Sequence, residues 1–489
     1  MSGLNFLSFI GIFALCGIAW LGSERRRQVP WKLIAWGIVL QFILGLLVFS
    51  VPVTRTILLG LSDGFNTILD ATEAGARFVF GSVLVPDPAN PPGPILAGRW
   101  IARAVMPPYI PVAGDRLSPD MISIGYVFAF RALPTLIFFS ALMALLYSLN
   151  LIQPIVNAFA RLFCWLMNLS GAEALCGAAN IFVGIESMLV VRPFLQRMTR
   201  SELCAILAAC FGSIASTVLA LYAGLLRPVF PSITGHLVSA SIMSIPACFI
   251  MAKILVPETE KPETLGKVPT LSTPYAQTDS PPNKAPASPS TPTETLDPVS
   301  SLIVGAMEGV KLAVAIAALL IAILGLVALL DLFFANLAAL SNSQNGLLQQ
   351  IGRVFQRVTL HNIQGFLFVP LTFLTGVSLN PAELWQASVL IGQRLLSTEI
   401  PAYQQLALLS SQGLINQRTL LIVSYVLCGF AHIPSYGIFV GGLVTLVPDR
   451  RQEITHIGWK ALWAATLATL MVGCVAGVFD MGNPTVLGR

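Results

Sequence analysis

The chain reads as an all-α integral membrane protein, a secondary transporter built from two related halves. Three observations predict this. Of its 489 residues 55% are hydrophobic and only 10% charged, whereas soluble domains carry about 25% charged residues. Apolar stretches of about 18 residues or more recur, long enough for helical spans; a transmembrane barrel would show short alternating segments instead. Each half also holds an apolar stretch interrupted by a lone acid, Glu186 in the first and Glu399 in the second. Paired interruptions point to an inverted-repeat carrier with its site near the bilayer midplane.

The first span is Leu4 to Leu21; it has neither the basic start nor the small-residue cleavage site of a signal peptide. The cluster Arg25-Arg26-Arg27 and Lys32 follows, which the positive-inside rule places in the cytoplasm, so the N-terminus is outside. Leu33 to Val53 returns the chain. Residues 54–82 have apolar positions at helical spacing (Ile57, Leu61, Phe65, Ile68) and predict an interfacial amphipathic helix. Residues 85–118 are a Pro/Gly-rich loop, and the third span is Ile122 to Leu149, with Pro134 inside it.

Residues 151–170 read as a second interfacial helix. The stretch Gly177 to Pro193 carries Glu186 between two short apolar arms, the pattern of a re-entrant or broken helix. Cys204 to Leu226 is the fourth span, with Gly212, Ser213, Ser216 and Thr217 for close packing. Ile233 to Val256 is the next. Residues 257–298 are rich in Pro, Ser and Thr and hold almost no large apolar residues; too little surface is available for burial to offset chain entropy, which predicts a disordered linker. The second half then repeats the order: a span Leu302 to Phe334, a polar piece to Val358, a short broken stretch Ile363 to Val377, an interrupted span Trp385 to Leu408 with Glu399 and Pro401, an apolar run Leu420 to Val447 interrupted at His432, Pro434 and Ser435, and a last span Ala461 to Phe479.

An ionisable group at membrane depth costs at least about 2.5–3.5 kcal/mol on insertion scales, so Glu186 and Glu399 are site candidates. A carboxylate accepts hydrogen bonds from a polyol such as a ribose. The competing reading pairs each acid with a nearby arginine, Arg192 or Arg394. Asn180, Ser213 and a backbone carbonyl freed at Val183 offer neutral oxygens to a small hard cation. His432 is placed to contact a solute or to titrate, and Phe430 offers an aromatic face. The eight cysteines lie singly in apolar stretches and read as small hydrophobes, so no cofactor is expected. No Walker loop, GxSxG or HExxH is present, which argues against an ATP-driven pump and against an enzyme. The net charge of +5 fits basic cytoplasmic loops rather than nucleic acid.

Several ordered motifs together resemble the concentrative nucleoside transporter family, from about Leu4 to Phe479. They are Asn180-Ile181-Phe182-Val183-Gly184 with Glu186, Arg192-Pro193-Phe194-Leu195, Met198-Thr199-Arg200-Ser201-Glu202-Leu203, the run Leu133 to Met143, Thr398-Glu399-Ile400-Pro401-Ala402-Tyr403, and Cys428 to Ile438. The resemblance implies eight transmembrane helices and two re-entrant hairpins per protomer, a homotrimer in the cell's inner membrane, and cation-coupled uptake of nucleosides. It implies that Glu186 and Glu399 bind the nucleoside, that Ser435 reaches the ribose, and that Asn180, Val183 and Ser213 hold sodium. The departures fall on the solute side: Ile185 stands where the family reads the base, His432 replaces an Asn that contacts the ribose, Pro434 is new, and Thr398 replaces the Asn before Glu399. The expected division is 1–83 (two spans and the interfacial helix), 84–119 (loop), 120–256 (third span, first hairpin, following spans), 257–298 (linker) and 299–489 (second repeat). The expected function is import of a nucleoside or nucleoside-like solute by alternating access with sodium. The rivals are a proton-coupled carrier of the same fold, with Glu186 or His432 titrating, and a non-transporting membrane sensor.

Overall fold

The computed structural model describes residues 3–81, 84–85, 115–117, 122–124, 127–184, 186–269, 297–482 and 486. Three helices open the chain: α1 (Gly3–Leu21), α2 (Trp31–Phe49) and the amphipathic α3 (Pro52–Phe80). A short antiparallel ribbon follows, β1 (Asp115–Leu117) on β2 (Ile122–Ile124). The predicted third span therefore begins late. Its helix α4 is Phe128–Ser148, because residues 122–124 pair with β1.

The first half continues with α5 (Gln153–Met167), α6 (Gly171–Asn180), the single turns α7 (Ser187–Val190) and α8 (Arg192–Leu195), α9 (Arg200–Gly212), α10 (Ser216–Leu226) and α11 (Ile233–Leu255). The second half holds α12 (Pro298–Ala339), α13 (Gly346–Phe355), α14 (Leu360–Leu374), α15 (Pro381–Ser397), α16 (Glu399–Ser411), α17 (Gln417–Leu427), α18 (Ile433–Leu446) and α19 (Arg451–Phe479). After α5 and again after α14 the order is the same: a hairpin of two helical arms, a broken helix, and a long buried helix. Among the described residues six helices, α1, α2, α4, α11, α12 and α19, are long and apolar enough to cross a membrane.

Three expectations are corrected here. The span predicted over Cys204 to Leu226 is two helices, α9 and α10, parted at residues 213–215. The stretch Ile363 to Val377 is not broken: α14 runs through Pro370 as one helix. The interruption lies later, at Thr398, and makes α15 and α16 the two arms of a hairpin. Finally, residues 257–269 are not free linker. Leu265 bridges Ser170, the Gly171 amide donates to the Thr264 carbonyl at 2.9 Å, and the Ala172 amide donates to Thr264 Oγ1 at 3.0 Å. Residues 270–296 lie outside the described residues.

The starts of the first hairpin and of α9 are fixed by reciprocal caps. Ser170 and Glu173 cap α6, and Thr199 and Glu202 cap α10's predecessor α9, each Ser/Thr accepting from the acid's amide while the acid accepts from the Ser/Thr amide. Lys253 of α11 joins the two, standing 2.9 Å from Glu173 and 3.2 Å from Glu258, which also accepts from Thr199 Oγ1 at 2.9 Å.

Packing divides the helices. The α11 and α19 helices are each 89% buried over their most apolar window, whereas that of α12 is 11% buried. What α12 does bury, it buries against α4. A Cβ on Gly305 would stand 2.7 Å from the Ser140 carbonyl, and one on Gly309 would stand 2.6 Å from Ile137 Cα. This is a small-xxx-small seam, where missing side chains let two backbones approach.

Candidate functional site

Four interruptions among the described helices meet at one cavity. They are residues 181–186 between the arms of the first hairpin, residues 213–215 between α9 and α10, Thr398 between α15 and α16, and residues 428–432 between α17 and α18. The cavity is lined by Gly184 and Glu186 from the first, Ala215 from the second, Thr398 and Glu399 from the third, and Phe430, His432 and Ser435 from the fourth. Leu312, Ile316, Leu319 and Leu320 on one face of α12 form an apolar wall. Backbone amides and carbonyls released at broken helices are tolerated at membrane depth where they line a cavity.

Glycines let the breaks come together. Gly184 has φ +36°, and a Cβ there would meet Ala215 Cβ at 3.3 Å. A Cβ on Gly429 would lie 2.8 Å from the Gly212 carbonyl, so the breaks of α9–α10 and α17–α18 touch backbone to backbone.

Glu399 is enclosed, with 2% of its surface exposed. Tyr222 of α10 donates its hydroxyl hydrogen to Glu399 Oε1, and His432 Nε2 stands 2.7 Å from Oε2. His432 Nδ1 accepts from the Ser435 amide at 3.1 Å and so caps α18. A nitrogen that accepts carries no hydrogen, so a neutral ring carries its proton on Nε2, which stands beside the carboxylate without a hydrogen bond to it among the described residues. Ser435 directs its hydroxyl to the carbonyls of Phe430 and, at 2.7 Å, His432. Tyr222 is itself held by Tyr403, ring on ring at 4.7 Å, and Tyr403 donates to the Ser424 carbonyl at 2.9 Å. Tyr403 thus supports the site from behind and does not line it.

Arg394 does not pair with Glu399. Its guanidinium donates to the Val426 carbonyl and, at 3.1 Å, to Thr469 Oγ1, because the chain turns at Thr398 and carries the acid away. Arg192 is exposed and leaves Glu186, which is partly exposed to the cavity and has no side-chain partner among the described residues.

Asn180, Val183 and Ser213 are buried; Asn180 and Ser213 are in contact, and Val183 precedes the cavity-lining Gly184. The Asn180 amide donates to the Ala209 carbonyl at 2.8 Å and to Ser213 Oγ, while its oxygen accepts from Ser187 Oγ at 3.3 Å. Ile185, expected at the base-reading position, lies outside the described residues. Of the groups found here, the sequence reading did not include Tyr222, Ala215 or the α12 wall. Only the spacing of Leu312, Ile316, Leu319 and Leu320, one helical face, gave a signal for the last.

Comparison with known proteins gives this arrangement a context. Residues 10–83 match the family model described as Na+ dependent nucleoside transporter N-terminus, residues 129–229 that described as nucleoside recognition (Gate), and residues 236–477 that described as Na+ dependent nucleoside transporter C-terminus. An uncharacterized transporter of Haemophilus influenzae is 31% identical over 96% of this chain and 97% of its own length. The nucleoside permease NupC of Helicobacter pylori is 29% identical over 97% and 98%. Solute carrier family 28 member 3 of Homo sapiens is 30% identical over 97% of this chain and 60% of its own. Among solved structures, CNTnw in an inward-facing substrate-bound state is similar with a TM-score of 0.76 at 29% identity, covering 98% of this chain and 100% of that one. A CNTnw variant in an outward-facing state gives the same TM-score, covering 98% of each.

Proposed function

Since the chain belongs to the concentrative, Na+ dependent nucleoside transporter family, we propose that it imports a nucleoside or nucleoside-like solute across the inner membrane by alternating access, coupled to sodium. The observation that carries this reading is the meeting of four helix breaks at one cavity, with two acids on it and the buried Asn180–Ser213 contact at two of the breaks.

The solute's hydroxyls donate to Glu399 and Glu186, and its apolar face lies on Phe430 and the α12 wall. Sodium is taken up by Asn180, Ser213 and the Val183 carbonyl. These are uncharged oxygen donors of the kind that unwound helices present to sodium. In the arrangement seen here the Asn180 amide faces Ser213 with its hydrogens; cation entry turns the amide over, orders residues 181–186 and sets Glu186 toward the solute. The inward- and outward-facing states of the CNTnw structures support a moving unit. The exposed apolar length of α12 supports a homotrimer in which copies cover it. Arg25 to Arg27 and Lys32, between α1 and α2, support an N-terminus on the outer side.

The test is uptake of tritiated uridine and adenosine by proteoliposomes under a sodium gradient and, separately, a proton gradient. Sodium-driven accumulation is expected. Uptake that ignores sodium and follows the proton gradient sinks the sodium assignment, and no uptake of either nucleoside sinks the solute class.

A further inference from the structure

Thr398 carries three irregularities at once. Its backbone is at φ 69°, ψ 173°, a region that a β-branched residue occupies only where its surroundings impose it. It is 3% exposed, and its Oγ1 has no hydrogen-bond partner among the described residues. It also begins α16 without a side-chain cap, whereas α15, α17 and α18 start on caps from Asn380, Asn416 and His432. The first turn of α16 further contains Pro401, which has no amide hydrogen. Buried hydroxyls without partners are rare, and each calls for a reason. Here the residue lines the cavity next to Glu399.

The chemistry of the pair narrows what fits. Thr398 offers a hydroxyl hydrogen at the positive end of a 13-residue helix. Glu399 offers only acceptors. A group that answers both must accept and donate through one atom. An ammonium has no lone pair, a carbonyl or ether has no hydrogen, and an anion is repelled by Glu399 and Glu186. A neutral hydroxyl meets every condition. We propose that Thr398 is a substrate-binding residue, whose Oγ1 donates to a sugar hydroxyl that in turn donates to Glu399. The proposal rests on the nucleoside reading above. It also gives the strained break a role: the left-handed backbone turns the hydroxyl toward the solute instead of back onto the helix it precedes.

The experiment measures equilibrium binding of uridine and 2′,3′-dideoxyuridine to the purified full chain in sodium buffer, together with the thermal midpoint of the solute-free protein. Thr398→Val keeps the branched shape and removes only the hydroxyl. It is expected to weaken uridine binding about five- to tenfold, the worth of one hydrogen bond, to leave dideoxyuridine binding unchanged, and to keep or raise the solute-free midpoint. Thr398→Ser restores uridine binding to within about twofold. Should Thr398→Val not fold, Thr398→Ala against Thr398→Ser makes the same comparison. Uridine binding equal to the parent's, or equal losses for both probes, overturns the role of Thr398 and leaves the nucleoside reading standing. A parent that binds neither probe overturns both.

Discussion

The two hairpins repeat one plan and finish it differently. In the first, the break spans residues 181–186, with Gly184 at its bend, and Glu186 faces the cavity with no side-chain partner among the described residues. In the second, the break is Thr398 alone, and Glu399 is enclosed between Tyr222 and His432. A buried charge is tolerated when donors replace lost water, and removing one donor then leaves an uncompensated charge. Glu399 is thus held by the protein through Oε1 before any solute arrives, its Oε2 lying beside His432 without a hydrogen bond among the described residues, while Glu186 waits for a partner from outside. The repeat supplies two acids at equivalent places, and their surroundings divide the labour: one is a fixed acceptor, the other responds to what enters.

That contrast is open to a direct break. Glu399→Gln is expected to cost binding of uridine about ten- to a hundredfold, the worth of a hydrogen bond to a charged group, and to move the thermal midpoint of the solute-free protein as well. Glu186→Gln is expected to cost binding on a similar scale while leaving the solute-free midpoint within about 0.5 kcal/mol of the parent. Midpoints from unfolding in detergent, with and without uridine, read both. Equal effects of the two changes on the empty protein erase the distinction.

Tyr222→Phe sharpens it. The ring keeps its stack on Tyr403, and only the hydroxyl that holds Glu399 is lost. The expected cost to the empty protein is about 1.5–3 kcal/mol. In the Glu399→Gln background the same change is expected to cost much less, since coupled neighbours do not add. Additive effects would show that Tyr222 acts through something other than the acid. A smaller effect, about 1–3 kcal/mol of overpacking, is expected for Gly429→Ala, whose Cβ would press on the Gly212 carbonyl at 2.8 Å. It tests whether the second half's break depends on close passage of the first half's. A midpoint unchanged by Gly429→Ala would mean that the two breaks are independent.

Much of this was legible in the chain. Lone acids in apolar stretches marked both hairpins, whereas the reciprocal caps at Ser170–Glu173 and Thr199–Glu202 emerged only with the fold. What was not legible depends on distance in the chain. Tyr222 meets an acid 177 residues away, and nothing local separates it from a packing aromatic. The break after Gly212 carries no proline, so the stretch kept the look of one span. Arg394 and Glu399 lie close in sequence, which suggested a pair; the left-handed turn at Thr398 sends them apart.

A second charged cluster sets the scale for the buried one. Glu24, in the turn between α1 and α2, receives the Arg200 guanidinium at 2.8 and 3.2 Å and Lys460 Nζ at 2.9 Å. It ties that turn to the start of α9 and to α19. The hydrogen bond from Arg200, followed by that from Lys460, holds its carboxyl down at about 2, against the pull of partial burial. A carboxyl whose folded value lies below its unfolded one, about 4.3, adds stability above that unfolded value and loses it as pH falls toward the folded one. The side chain is 25% exposed and the partners are at the surface, so solvent screening limits the contribution to under about 1 kcal/mol. The expected outcome is a small midpoint advantage of the parent over Glu24→Gln at pH 7. It shrinks as pH is lowered from about 4.5 to about 2, and it shrinks with added salt at neutral pH. The loss on Glu399→Gln, by contrast, is expected to persist in salt, because a buried charge is screened much less than an exposed one. An advantage at Glu24 that survives both low pH and high salt would mean that packing of the turn, rather than its charge, holds these three segments together.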